Sequence, residues 1–220
     1  MSVHNLKHRV SIFVLTCLYG FCCQAVAGSY DDFFKAVRQN DVKTVQALLA
    51  RGFDPDTVNA AGMTGLMQAI AASSKQVSQV LAHAPTAHID LRNAAGESAL
   101  MLAALKGDLE LCQWLINKGA DVNKTGWTPL HYAATNGHID VINLLLDAYA
   151  YIDAESPNGT TPLMMAAQYG TTSAVKLLLE MGADPTLQNH QKLSAQEFAR
   201  QGHHAESADI IAAFARGFKR

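Results

Sequence analysis

Nine histidines, nineteen carboxylates and a few serines are the groups in this 220-residue chain that could take part in chemistry. Their spacing argues against each candidate reaction. His203 and His204 are adjacent, so they cannot share a helix face as an i, i+4 ligand pair would, and no HExxH occurs. Cys112 is the single cysteine beyond residue 23, too few for a thiolate site. Gly96-Glu97-Ser98-Ala99-Leu100 lacks the second glycine of a nucleophile elbow, and Ser98 stands where a helix N-cap belongs. Asp121, Asp153 and Asp184 recur at about thirty-residue intervals, which marks them as turn residues rather than a paired acid and base. There is no glycine-rich phosphate loop. The sequence therefore predicts no catalytic residue, no cofactor and no metal, and a chain that is not an enzyme.

The elements that hold these residues are short helices. In Thr128-Pro129-Leu130-His131-Tyr132-Ala133-Ala134-Thr135-Asn136-Gly137-His138, Thr128 is an N-cap and Pro129 fits the first helical position, where its missing N–H costs nothing. Leu130, Ala133 and Ala134 form an apolar stripe at helical spacing, and Gly137 can end the helix in a left-handed conformation. A second helix follows, with Val141, Ile142, Leu145 and Leu146 on one face. Such a pair cannot bury its apolar faces alone and needs copies of itself on either side. The copies open at Gly62, Gly96, Gly126 and Gly159, separated by 34, 30 and 33 residues. They read TGLMQAIAA from Thr64, SALMLAALKG from Ser98, TPLHYAATNG from Thr128 and TPLMMAAQYG from Thr161.

A period near 33 with Thr-Pro-Leu-His-x-Ala, repeated in phase and accompanied by Gly-Ala-Asp at 119–121 and 182–184, resembles the ankyrin-repeat family. The resemblance covers about residue 30 to the C-terminus. It implies an all-α solenoid of about six helix-turn-helix units with short hairpin-like connecting loops, the units lying near 30–61, 62–95, 96–125, 126–158, 159–191 and 192–215. The first unit lacks the Thr-Pro-Leu opening and the last is polar at Gln196, Glu197, Arg200 and Gln201, as capping units require. The second is the most degraded: Gly65 replaces the proline, Ser73 the turn glycine, and Ser78 sits at a core position. Between the third and fourth units the connection is about three residues short, so its projecting finger is expected to be clipped. In the fourth unit Tyr149 stands where glycine usually ends the second helix. The family's histidine position holds Met67, Met101, His131 and Met164, so the family's hydrogen-bond network is expected to give way mostly to flexible apolar packing. His131 is read as structural.

Residues 1–27 are read as a secretory signal peptide: Lys7 and Arg9 form a basic start, Val10 to Cys23 is almost wholly apolar, and Ala25-Val26-Ala27 is a small-x-small cleavage pattern. The domain then spans 28–220, and after cleavage there is no membrane insertion. Cleavage removes three of the four cysteines, so no intramolecular disulfide is possible and Cys112 is expected to be a buried apolar residue. It also leaves 15 Lys and Arg against 19 Asp and Glu, a net charge of −4, which argues against nucleic acid as a partner. Asn123-Lys124-Thr125 and Asn158-Gly159-Thr160 match the N-glycosylation pattern and are read as chance matches at finger positions.

What remains is recognition. The resemblance implies an exported, periplasmic (or alternatively secreted) monomer that binds another protein through a concave face built from fingers and first-helix edges. A periplasmic immunity or inhibitor protein acting on a toxin or enzyme, and a secreted effector acting on a host protein, are the alternatives. Partner contacts are assigned to Trp127, Leu105, Lys106, Thr135, Asn136, Gln168 and Tyr169. Trp127 follows the repeat glycine beside the clipped finger and is expected to be the contact anchor, with Leu105 and Tyr169 beside it.

Overall fold

The structure, a computed structural model, describes residues 28–217. Residues 1–27, which the sequence reading takes as a signal peptide, and residues 218–220 lie outside the described residues. Among the described residues twelve helices follow one another in pairs: α1 (28–38) and α2 (Val42–Ala50), α3 (Gly65–Ala71) and α4 (Lys75–Ala82), α5 (Ala99–Lys106) and α6 (Leu109–Asn117). Next come α7 (Pro129–Asn136) and α8 (Ile139–Asp147), α9 (Pro162–Tyr169) and α10 (Thr172–Glu180), α11 (Ala195–Gln201) and α12 (Ala205–Gly217). First helices stack on first helices, from α3 through α5, α7 and α9 to α11; second helices stack on second helices behind them. The fold is an ankyrin solenoid, and among the described residues no strand forms beyond two isolated bridges, Val58 with Thr64 and Gln188 with Ser194.

The local chemistry explains where each helix begins. Thr64, Ser98 and Thr161 accept the N–H of Met67, Met101 and Met164 at 3.3–3.4 Å, and each is an N-cap in extended conformation. Alanine pairs let the first helices approach closely: Ala103, Ala104, Ala133, Ala134 and Ala167 are fully buried. Leu115, Leu130, Ile142, Leu145, Leu163 and Leu178 fill the space between the two helix layers and extend one core through the units. Cys112 belongs to that core, and burial pushes its thiol up to about 12.

The units are also tied edge to edge. A side-chain carboxylate in one connection accepts a backbone N–H from the next: Asp56 from His88 at 3.1 Å, Asp90 from Asp121 at 2.9 Å, and Asp153 from Asp184 at 3.1 Å. Four fingers close with a backbone hydrogen bond across their base, Asn59 to Met63, Asn93 to Glu97, Ser156 to Thr160 and Asn189 to Leu193. Among the described residues, 123–127 close no such pair, so the fourth unit's finger is absent as a hairpin. Lys124 instead runs back to the previous unit and donates from Nζ to the Gly96 carbonyl at 2.5 Å.

Candidate functional site

The site is built where the finger is missing. Trp127 packs edge-on against His131, with ring centroids 5.2 Å apart and planes at 74°, so it is half-buried against its own unit. Leu105, at the end of α5, and Tyr132 and Thr135, on α7, come to the same place. Met165 of α9 closes the far side. Together Leu105, Trp127, His131, Tyr132, Thr135 and Met165 line a hollow of about 230 Å³ on the face made by the first helices.

The polar groups of this lining are already engaged. His131 is fully buried, and its Nδ1 accepts the Thr128 N–H at 3.2 Å. Its Nε2 faces the Thr160 carbonyl at 2.9 Å; a carbonyl can only accept, so Nε2 carries the proton and the ring is neutral. Burial holds the imidazole down at about 4, against the weaker opposing effect of the Thr160 bond. The Thr128 hydroxyl lies 2.9 Å from Nδ1, turned toward the imidazole rather than toward a helix N–H. Thr135 donates its hydroxyl to the His131 carbonyl at 2.8 Å. Tyr132 donates to Glu97 at 2.8 Å; burial, then the carboxylate, raise its phenol. The other Glu97 oxygen accepts from Asn93 at 2.7 Å. The hollow therefore shows a guest apolar walls and satisfied polar groups.

Of the residues assigned from sequence, Leu105, Trp127 and Thr135 meet in the hollow. Asn136 lies at its edge and donates to the Leu105 carbonyl at 2.8 Å, so the α7 edge is bound to the unit before it rather than open. Lys106 is exposed and, among the described residues, makes no ion pair. Gln168 is half-buried and Tyr169 is 58% exposed, both at the end of α9. Tyr132 and Met165 were not assigned. Each stands three residues before an assigned edge residue, Thr135 and Gln168, and helical spacing puts such pairs on one face; that offset was the signal available.

The methionines are less passive than apolar packing. Met101 and Met164 are buried, and their sulfur atoms accept the N–H of Ser98 and Thr161 at 3.4 Å. They occupy the same hydrogen-bonding position as His131 Nδ1, with a weaker acceptor.

Comparison with known proteins agrees with this geometry. A family model described as ankyrin repeats (3 copies) matches residues 33–125, 71–156 and 123–189. Among curated proteins, the chain is 30% identical over 159 residues to transient receptor potential cation channel subfamily A member 1 of Homo sapiens, covering 67% of this chain and 14% of that protein. It is 33% identical over 165 residues to the nuclear factor NF-kappa-B p105 subunit of Gallus gallus, covering 72% of this chain and 17% of that protein. The chain thus spans a small part of the length of these relatives. Among solved structures it resembles a chain in the complex of the Bd0816 predatory endopeptidase from Bdellovibrio bacteriovorus with immunity protein Bd3460. There the TM-score is 0.71 and the identity 26%, over 83% of this chain and 97% of the matched one. An ankyrin repeat domain from Acinetobacter baumannii shares the fold at TM-score 0.68 and 24% identity, covering 83% of this chain and 96% of that one. Ankyrin repeats are protein–protein interaction modules, generally without catalytic activity. By the repeat pattern, the stacked helix pairs and the match of the family model, the chain belongs to the ankyrin-repeat family.

Proposed function

We propose that this protein is an exported binding module that engages a partner protein through the face formed by its first helices and fingers. The immunity or inhibitor role is the preferred form of that reading. One observation carries it: the match to a chain of the Bd0816–Bd3460 complex extends over 97% of that chain, so the likeness is to a whole matched chain rather than to a few repeats of a large protein. Such a protein works by occupying its partner, and needs no reactive group of its own. The hollow beside Trp127 supports the choice of face, because an apolar recess among paired polar groups is suited to excluding water from a contact.

The test has two parts. N-terminal sequencing of the protein expressed in a bacterium with a periplasm should find Gly28 as the first residue, and a chain beginning at Met1 would remove export from the reading. The exported chain is then used to capture its partner from a periplasmic extract, and the partner's activity is measured with and without it. Loss of activity in the complex supports the inhibitor role. A captured partner that keeps full activity leaves a scaffold, and recovery of the mature chain from culture medium favours an effector.

A further inference from the structure

One turn of the solenoid departs from its counterparts on the exposed side. Three other second helices are followed by Gly-x-Asp: Gly52-Phe53-Asp54, Gly119-Ala120-Asp121 and Gly182-Ala183-Asp184. Each of those aspartates accepts the N–H two residues on, at 2.8–3.0 Å. After α8 the same places hold Tyr149-Ala150-Tyr151, and tyrosine has no carboxylate to take that N–H. Both rings face water: Tyr149 is 84% exposed and Tyr151 68%. Asn123 bonds the Tyr149 carbonyl and the Tyr151 N–H, so the two rings stand on a braced backbone. Helices α8 and α10 pack side by side as equivalent helices of adjacent units, which brings their C-terminal ends to one edge. Met181, exposed where α10 ends, continues that edge. Large apolar side chains exposed together in this way mark an interaction surface.

The charge around the rings selects what can cover them. α8 ends in Asp147 and α10 in Glu180, both exposed, and neither helix has a basic residue in its last turn. A helix C-terminus already carries about half a negative charge, so the two carboxylates add to that field instead of offsetting it. Among the described residues neither carboxylate forms an ion pair. The edge therefore joins aromatic faces to uncompensated negative charge. Anionic lipid and nucleic acid are repelled by it. A second copy meeting it about a two-fold axis would set the acidic edge against itself. A guanidinium answers both features at once, because it stacks on a tyrosine face and bonds a carboxylate through its planar fork; an ammonium offers only a point charge.

We infer that the edge formed by Tyr149, Tyr151 and Met181, with Asp147 and Glu180, is a second docking surface, and that it takes an arginine-bearing segment of a partner protein. It lies at the ends of the second helices, apart from the face made by the first helices.

Backbone amide NMR shifts of the purified protein test this, in titrations at low ionic strength with the peptide Gly-Ser-Arg-Gly-Ser-Arg-Gly-Ser and its Lys and Glu counterparts. The arginine peptide should shift the amides of residues 147–151 and 180–182 and bind more tightly than the lysine peptide. The glutamate peptide should shift none of them. Tyr149→Gly with Tyr151→Asp installs the Gly-x-Asp of the other units and adds one carboxylate. Attraction by charge alone would keep or raise the affinity of that variant, whereas loss of both rings should lower it roughly tenfold. Asp147→Asn with Glu180→Gln changes only exposed side chains and should also weaken the arginine peptide, which decides the matter even if the tyrosine variant folds poorly. Unchanged or stronger binding by either variant overturns the inference, as do shifts confined to the first-helix face or no shift at all. Self-association in sedimentation that the tyrosine variant abolishes overturns it in favour of a second copy.

Discussion

Asn123 holds Tyr151 across the shortened connection: its Oδ1 accepts the Tyr151 N–H at 2.8 Å, and its Nδ2 donates to the Tyr149 carbonyl at 2.7 Å. In the other connections an aspartate three residues further from the repeat glycine makes the corresponding bond, spanning 31 or 32 residues where Asn123 spans 28. The difference matches the missing length. One side chain has taken over the tie between units that the deletion would have removed, and it stands where the other units begin their finger hairpin. It is also the first residue of an N-glycosylation match, and its amide is already used within the fold.

Replacing Asn123 should therefore loosen the stack at one place. Two hydrogen bonds of about 0.5–1.5 kcal/mol each are lost in Asn123→Ala, an expected cost of about 1–3 kcal/mol. Asn123→Asp keeps an acceptor for Tyr151 but turns a carboxylate oxygen toward the Tyr149 carbonyl, so it should be destabilised as well. Urea unfolding of both variants measures this, and midpoints equal to that of the unmodified chain would show that the tie contributes nothing.

His131 predicts acid sensitivity. Its imidazole titrates at about 4 in the folded chain and near 6.5 when unfolded, so the unfolded state takes up a proton first. The stability it supports is complete above pH 6.5 and falls away as pH drops toward 4, by roughly 3 kcal/mol in all. His131→Met places the residue used by three other units, whose sulfur can accept the same N–H. Thermal melts at pH 7 and pH 4 should show a smaller acid loss in His131→Met than in the unmodified chain. An identical loss would assign acid sensitivity to other groups.

Tyr149 has φ +62° and is 84% exposed, at the position where Gly52, Gly119 and Gly182 end the corresponding helices. A left-handed backbone costs an L-residue about 1–2 kcal/mol, part of which glycine gives back through its greater freedom when unfolded. Tyr149→Gly should stabilise the fold by up to about 1 kcal/mol, since the side chain buries little. A fall in melting temperature would mean that the ring has packing partners in solution.

Leu145 and Asn136 make a contrasting pair. Leu145 is fully buried between the helix layers, and Leu145→Ala should cost about 2–5 kcal/mol. Asn136 makes one exposed bond to the Leu105 carbonyl, so Asn136→Ala should cost about 1 kcal/mol at most. Equal urea midpoints would show that the phase assigned to α8 is wrong.

The sequence alone determined the solenoid, its helix pairs and their caps, because those depend on local rules. A Thr or Ser before a proline or small apolar residue starts a helix, apolar spacing sets its buried face, and a repeated period says that neighbours cover it. Leu105, Trp127 and Tyr169 are read from the sequence as one neighbourhood because they stand on the aligned edges of adjacent units; the hollow holds Leu105 and Trp127, with Thr135 in it and Tyr169 outside. Tertiary structure decided what that neighbourhood is. Whether Trp127 projects or lies back depends on the fit of its ring against His131, and the hollow needs Met165 from α9, some forty residues along the chain. The bonds from Tyr132 to Glu97 and from Asn123 to Tyr151 likewise join residues 35 and 28 positions apart. No local propensity encodes such pairs. They form only when stacking brings the units into register and close packing leaves each side chain a single place to go.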